Sequence, residues 1–163
     1  MVFDDVYNKA SELVQALKKT GTTIAFAESL TGGMISSRLV DVPGASDVLL
    51  GSVVSYTNDI KINVLGVDKE IIDSFTEVSG ECAEKMASGV KKLTGADIAF
   101  SATGYAGDYE DHPDDSENGT VWFGFVSKDD TRSYLKHFYG KRDEVRLQAV
   151  EFVYDTVLSY LSS

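Results

Sequence analysis

Residues 22–33 of the chain, TTIAFAESLTGG, join a β-rich run to a polar turn that contains two glycines. Residues 22–26 predict a short strand. Ser29 and the glycine pair predict a turn into a helix over about residues 31–40. A strand that turns into a helix in this way is the building step of α/β folds, in which helices cover a sheet. The stretch therefore predicts a strand–turn–helix unit with Ser29 at its corner.

The rest of the chain predicts alternating helices and strands, then a hairpin and a last helix. Helices are predicted over residues 3–20, 58–66, 68–75, 80–94 and 141–160, and strands over 48–56, 97–103, 119–127 and 131–139. We expect the apolar run 48–56 to be buried on both faces, and Asn58 and Ser79 to be N-caps. The chain has no repeat or linker, which predicts one domain over residues 1–163, with helices on both faces of a mixed sheet.

Composition excludes several classes of function. The chain has 163 residues and a formal net charge of −11, which argues against nucleic acid as a partner. No apolar run approaches the ~20 residues that span a bilayer, and the acidic start lacks the pattern of a secretory signal. The single cysteine, Cys82, rules out an internal disulfide. We expect a cytoplasmic protein that contacts neither nucleic acid nor membrane, while a small phosphorylated ligand remains compatible with the charge.

Three polar, glycine-bearing segments lie just past predicted strands: residues 27–33, 55–61 and 101–107. In open α/β sheets, ligands bind in the crevice outside the carboxyl ends of the strands. The three segments therefore predict one composite site. They place a serine, a lysine and a tyrosine where a nucleophile and its base could meet.

Each of these side chains has a catalytic and a structural interpretation. Ser29 at a helix start could be a nucleophile beside an oxyanion hole, or Ser29 or Thr31 could only cap the helix. Lys61 near a helix start would have its pKa lowered by the helix dipole and could act as a neutral base, or it could be a solvated surface residue. Tyr56 could relay a proton or orient the lysine, or be an ordinary aromatic residue at a strand end.

Two arginines lie four residues apart near the start of the last helix. Arg142 and Arg146 could join free N–H groups there in holding a phosphate. The alternative is surface pairing with Asp143 or Glu144.

The acidic loop 105–118 suggests a metal site, but residues 114–125 fail the EF-hand pattern, since the twelfth position is Phe125. No zinc spacing, Walker motif or dinucleotide fingerprint is present. His137 in a strand and Cys82 in a helix are expected to be packing or surface residues. We therefore expect no metal and no cofactor.

Together these segments resemble the C-terminal domain of the CinA (competence/damage-inducible) family, which also occurs alone as nicotinamide mononucleotide deamidase. The matching segments are residues 27–33, 41–46, 51–61, 65–67, 78–79, 95–97, 101–107, 119–122 and 142–146. The resemblance runs in order over nearly the whole chain. It implies a three-layer α/β/α sandwich with a mixed sheet.

The resemblance also implies a reaction, the hydrolysis of nicotinamide mononucleotide to nicotinate mononucleotide and ammonia. It implies Ser29 as nucleophile, Lys61 as base and Tyr56 as the partner of the lysine. A Ser–Lys pair can cleave an amide without histidine, metal or cofactor. The substrate would be a small pyridine nucleotide, and a homo-oligomer is expected.

The remaining site residues are expected to bind the substrate or its oxyanion. Thr31, Gly32 and Gly33 would supply the oxyanion donors. The phosphate and pocket residues would be Asn58, Thr103, Gly104 and Arg142.

The chain departs from the family pattern at two places. Leu30 stands where the family usually has cysteine, beside the nucleophile. Residues 108–118 are acidic where the family usually has proline, a glycine-rich stretch and Lys-Pro. An acidic loop would repel a phosphate if it faced the pocket. Two alternatives to the deamidase therefore remain: a non-catalytic domain that binds a nucleotide or a protein, and an amidase with a less anionic substrate.

Overall fold

The computed structural model of the chain describes residues 2–107 and 118–163. Its helices are α1 (Val2–Thr20), α2 (Met34–Val40), α3 (Asn58–Asn63), α4 (Lys69–Phe75), α5 (Gly80–Thr94) and α6 (Arg142–Leu161). Its strands are β1 (Ile24–Glu28), β2 (Leu49–Val54), β3 (Ile98–Gly104), β4 (Thr120–Val126) and β5 (Thr131–His137). A short 3₁₀ turn precedes β2. Each predicted helix and strand is present, with ends that differ by a few residues.

The five strands form one mixed sheet in the order β2-β1-β3-β4-β5. The first strand, β1, is parallel to β2 on one side and to β3 on the other. The hairpin β4–β5 is antiparallel and extends the sheet beyond β3. The carboxyl ends of β1, β2 and β3 therefore meet at one edge of the sheet, where the three motifs follow them.

Helices cover both faces of this sheet. Successive buried residues of β1 point to opposite faces, so the strand contributes to a core on each side. Ile24 and Phe26 pack into a core with α1, α2 and α6. Ala25 and Ala27 pack into a second core with α5 and the α3–α4 region. The small alanines let α5 lie close to the sheet. The predicted α/β class with a mixed sheet is thus confirmed, and the layers follow the expected α/β/α order.

One strand differs from its prediction. Residues 48–56 were expected to be buried on both faces, but β2 lies at the edge of the sheet and pairs only with β1. Leu50 and Val54 are about half exposed. The apolar run therefore belongs to an edge strand. Such a strand has a neighbour on one side only, and the helices beside the sheet cover its side chains incompletely.

The N-cap of α3 also differs from its prediction. Thr57 precedes the helix, and its side chain accepts a hydrogen bond from the Ile60 N–H at 3.4 Å. Asn58 is instead the first residue of the helix. Ser79 caps α5 as expected, since its hydroxyl accepts from the Cys82 N–H at 3.1 Å. None of the helices in the described part of the chain is both long and apolar enough to cross a bilayer.

Candidate active site

A cavity of about 390 Å³ opens at the carboxyl ends of β1, β2 and β3. The three predicted motifs converge on it. Its lining residues are Ser29, Leu30, Tyr56, Thr57, Asn58, Lys61, Glu77, Val78, Thr103, Gly104, Tyr105, Ala106 and Arg142. The structure therefore brings Ser29, Tyr56 and Lys61 to the same cavity as Asn58, Thr103, Gly104 and Arg142.

The centre of the cavity is a contact between a serine and a lysine. The Lys61 Nζ lies 3.1 Å from the Ser29 Oγ. It also donates to the carbonyl oxygens of Ser55 at 2.8 Å and Tyr56 at 3.4 Å. A neutral amine has two N–H donors and one lone pair. The protonated amine donates to all three oxygens. In the neutral form the two carbonyls can take both donors, which leaves the lone pair for the Ser29 hydroxyl proton.

The environment favours the neutral form of this amine. The Lys61 side chain is 1% exposed, so it is not the solvated surface residue of the alternative interpretation. Burial lowers the pKa of Lys61 from 10.5, and the Glu77 carboxylate, together with the Cys82 thiol wherever that thiol is ionised, opposes this shift. Burial also raises the pKa of the Cys82 thiol to about 11, so this thiol is uncharged at neutral pH. Desolvation, not the dipole of the six-residue helix α3, is the principal cause of the lysine shift.

The turn that carries Ser29 is held by the buried carboxylate of Glu28. One oxygen of Glu28 accepts from the Thr31 hydroxyl and from the Ile35 N–H, each at 2.8 Å. The other accepts from the Ser36 N–H at 3.1 Å, and from the hydroxyls of Ser36 at 2.8 Å and Ser52 at 2.9 Å. One side chain therefore joins the end of β1 to the first turn of α2 and to β2.

Arg146 holds the same turn from the opposite side. Its guanidinium donates to the carbonyl oxygens of Leu30 at 2.9 Å and Thr31 at 3.0 Å. Arg146 therefore braces the turn, a role that neither of its two predicted interpretations included, and it is not among the residues that line the cavity. Its spacing from Arg142, its place near a helix start and the matching segment 142–146 did not distinguish a residue that braces the turn from one that binds a ligand.

The predicted oxyanion donors are corrected by the structure. The Thr31 hydroxyl is fully buried and donates to Glu28. The Gly32 N–H donates to the Ser29 carbonyl at 3.0 Å, and neither glycine of the pair Gly32–Gly33 lines the cavity. Leu30 does line it. In the described part of the chain, the N–H groups of Leu30, Thr31 and Gly33 have no acceptor. Of these three residues only Leu30 lines the cavity, so its N–H is the donor best placed next to the nucleophile.

Tyr56 and Arg142 meet at the mouth of the cavity. The Tyr56 side chain is 60% exposed, and its hydroxyl accepts from the Arg142 guanidinium at 3.4 Å. Arg142 also donates to the Gly107 carbonyl at 3.1 Å. The phenol of Tyr56 thus contacts the arginine, while only its backbone carbonyl contacts Lys61.

The far wall of the cavity is rigid. The Thr103 hydroxyl donates to the Glu77 carbonyl at 2.8 Å. Gly104 has no room for a side chain, because a Cβ there would overlap the Thr120 carbonyl oxygen. The sequence did not single out Glu77, since it lies in a connecting segment without any motif spacing.

No cluster of three or more potential metal ligands exists among residues 2–107 and 118–163. The acidic residues 108–117, where the EF-hand pattern was tested and rejected, lie outside the described residues. His137 accepts or donates one hydrogen bond with the Thr120 hydroxyl at 3.1 Å. Cys82 is buried in the core, as predicted.

The fold and the site together define a class of protein. It is an α/β domain in which a serine hydroxyl contacts a buried lysine amine. The sequence profile of the CinA C-terminal domain matches residues 7–161. A CinA-like protein from Petrotoga mobilis is 43% identical over 149 residues, which are 90% of this chain and 36% of that protein. The chain belongs to the CinA family. It spans little more than a third of the curated relatives that it matches.

Solved structures of the same superfamily share the fold. A CinA superfamily protein from Klebsiella pneumoniae has a TM-score of 0.92 at 30% identity, over 96% of this chain and 98% of that one. The competence/damage inducible protein CihA from Agrobacterium tumefaciens has a TM-score of 0.90 at 28% identity, over 98% and 96%.

The Glu28 network predicts a large loss of stability for Glu28→Gln. The amide would keep one acceptor oxygen and place its NH₂ against groups that donate, so buried donors would lose their partners. We expect the free energy of unfolding to fall by about 2–4 kcal/mol in urea denaturation. Glu12→Gln, on the exposed face of α1, is the control and should change little. An equal effect of both substitutions would contradict the anchoring role.

The lowered pKa of Lys61 predicts a pH dependence of stability. Between the lowered value and 10.5, the unfolded chain binds a proton that the folded chain does not. The free energy of unfolding contributed by Lys61 should therefore rise with pH through this interval. We expect the wild type minus Lys61→Met difference, measured by urea denaturation from about pH 7 to 10, to rise.

Cys82 has the opposite effect above pH 9.0, since its pKa is raised. Because Lys61 itself lowers the pKa of Cys82, this contribution does not cancel fully, and the comparison is read well below pH 9.0, where the thiol is uncharged in both states. A difference that stays flat or falls with pH would show that Lys61 is not held in a desolvated position.

Proposed function

We propose that the domain is an amidohydrolase that hydrolyses nicotinamide mononucleotide to nicotinate mononucleotide and ammonia, with Ser29 as nucleophile and Lys61 as general base. The observation that carries this proposal is the 3.1 Å contact between the Lys61 Nζ and the Ser29 Oγ. A buried lysine without a carboxylate in hydrogen-bond contact is suited to proton transfer, because burial lowers its pKa from 10.5 toward the range in which an amine can act as a base. Family membership alone supports only a CinA-like domain.

The reaction follows from the positions of these groups. Lys61 takes the proton of Ser29 as the hydroxyl oxygen attacks the amide carbon. The Leu30 N–H, next to the nucleophile, supports the negative charge on the carbonyl oxygen. The protonated lysine then gives its proton to the leaving nitrogen, and ammonia departs. Water, activated by the same lysine, cleaves the acyl–serine ester and restores the hydroxyl.

The proposed substrate fits the cavity in size and polarity. A volume of about 390 Å³ lies within the usual range for small-ligand sites. Arg142, with Tyr56 beside it, offers a positive group at the mouth for the nucleotide phosphate. Thr103 and Gly104 form the wall, and Asn58 lies at the rim. None of these steps requires a metal or cofactor.

One observation favours an alternative. Residues 108–117 carry six acidic side chains and follow directly after Gly107, whose carbonyl binds Arg142. Their charge weakens the case for a phosphorylated substrate. An amidase with a less anionic substrate, or a domain that binds without catalysis, would be consistent with this loop.

Ammonia release and nicotinate mononucleotide formation by the purified protein test the proposal directly. We expect activity in the wild type and losses of at least about a hundredfold in both Ser29→Ala and Lys61→Ala, the range for a lost general base. Ser74→Ala and Lys69→Ala, both on the exposed surface of α4, are matched controls that should retain activity.

Absence of product from the wild type would reject this substrate. Thermal stabilisation by nicotinamide mononucleotide and by its riboside, which lacks the phosphate, would then separate the alternatives. Preference for the riboside supports the less anionic substrate, and binding of either without turnover supports the non-catalytic domain.

We further propose a cytoplasmic homo-oligomer that contacts neither nucleic acid nor membrane. Strand β2 supports the oligomer, because its free edge carries no charged residue and exposes Leu50 and Val54. The opposite edge strand, β5, carries Arg132 and Lys136, which protect an edge from pairing. With a net charge of −11, an uncharged edge is where a second copy meets least repulsion.

If two copies pair through the β2 edge, one substitution in β2 should dissociate the oligomer. Sedimentation equilibrium should give a multiple of 17.7 kDa for the wild type and a single chain for Leu50→Lys. Leu135→Lys is the matched control, since Leu135 is 53% exposed on β5. A monomeric wild type, or an unchanged Leu50→Lys, would reject pairing through β2.

A further inference from the structure

Glu77 lines the cavity that contains Ser29 and Lys61, and the mechanism above gives it no role. Its carboxylate has no hydrogen-bond or ion-pair partner among residues 2–107 and 118–163. We propose that Glu77 is the specificity-determining residue of this site, an anionic subsite that selects substrates whose amide-bearing ring is cationic. The inference rests on the proposed function and narrows its substrate class.

The backbone around Glu77 is fixed, so its side chain starts from a defined position. The Glu77 carbonyl accepts from the buried Thr103 hydroxyl at 2.8 Å. Thr76 before it has φ 72, a left-handed conformation that is unfavourable for a β-branched residue. The Ser79 hydroxyl donates to the Thr76 carbonyl at 2.9 Å and holds this conformation. Strained backbone that neighbouring contacts maintain is typical of binding sites.

In the absence of a substrate, the Glu77 carboxylate opposes the action of Lys61 as a general base. Negative charge at Glu77 raises the pKa of Lys61 against the effect of burial, which favours the protonated amine that cannot act as a base. The cavity would therefore be a better general-base site without Glu77. A cationic ring in the bound substrate neutralises this disadvantage, because it offsets the field of the carboxylate at the lysine.

The cavity has two charged poles. Arg142 lies at the mouth with Tyr56, and Glu77 lies on the wall with Val78 and Thr103. A ligand with an anionic group and a cationic ring matches both poles at once. An oxidised pyridine nucleotide has this charge distribution, whereas its dihydropyridine form has a neutral ring of nearly the same shape. Comparing the oxidised and reduced nucleotides therefore tests the effect of ring charge, while ligand size and the phosphate stay nearly the same.

The experiment compares binding of nicotinamide mononucleotide and its reduced form by calorimetry, in Ser29→Ala protein to prevent turnover. We expect the oxidised form to bind more tightly than the reduced form. Adding Glu77→Gln should weaken the oxidised form about fivefold, the scale of a partly exposed charge pair, and leave the reduced form within about twofold. Glu77→Asp should restore part of the preference. Glu81→Gln, exposed on α5 and outside this cavity, should change neither affinity.

Three results would overturn the inference: equal binding of both forms, no binding of the oxidised form, or a Glu77→Gln variant that weakens both forms alike. Thermal unfolding of each variant shows whether such a loss is only structural. Activity of the Ser29-containing protein separates the two proposals. Turnover of nicotinamide mononucleotide together with an unchanged affinity for the oxidised form in Glu77→Gln rejects the subsite alone. Charge-selective binding without ammonia release rejects only the amidase.

Discussion

The Glu28 carboxylate is the constraint on which the site depends, because it fixes the turn between β1 and α2 from inside the protein. It accepts hydrogen bonds from the backbone of α2 and from hydroxyls of α2, the turn and β2. The Ser29 hydroxyl lies 3.1 Å from the lysine amine. The turn contains two glycines, whose backbone is flexible, so other contacts must fix its conformation. The carboxylate supplies the acceptors that the first N–H groups of α2 need, and the position of Ser29 follows from this.

Burial of Lys61 is the second constraint. It lowers the free energy of unfolding, and it also lowers the pKa of the amine. The amine is removed from water between α3, the end of β2 and the serine, and its contacts are carbonyl oxygens rather than a carboxylate. A carboxylate at that point would have stabilised the charged lysine. The arrangement leaves a lysine whose pKa is lowered by burial, in direct contact with the Ser29 hydroxyl.

The sequence predicted the sheet, the helices and the convergence of the three motifs, because these follow from local periodicity and from the rule for strand ends. It failed where long-range contacts decide the outcome. Thr31 was expected to face a ligand but donates to Glu28, and Arg146 was grouped with Arg142 but bonds to the backbone of the Ser29 turn. Glu77 has no motif spacing, and a long-range hydrogen bond from Thr103 of β3 to its carbonyl holds it at the cavity.

The brace from Arg146 has a consequence for the order of events during synthesis. The turn at Ser29 is made from the first fifth of the chain, but the guanidinium that grips its carbonyls comes from α6, near the other end. The β1–α2 turn emerges from a ribosome long before that helix does. A nascent chain therefore carries the Ser29 turn without this brace, and the geometry of the turn is complete only when α6 docks.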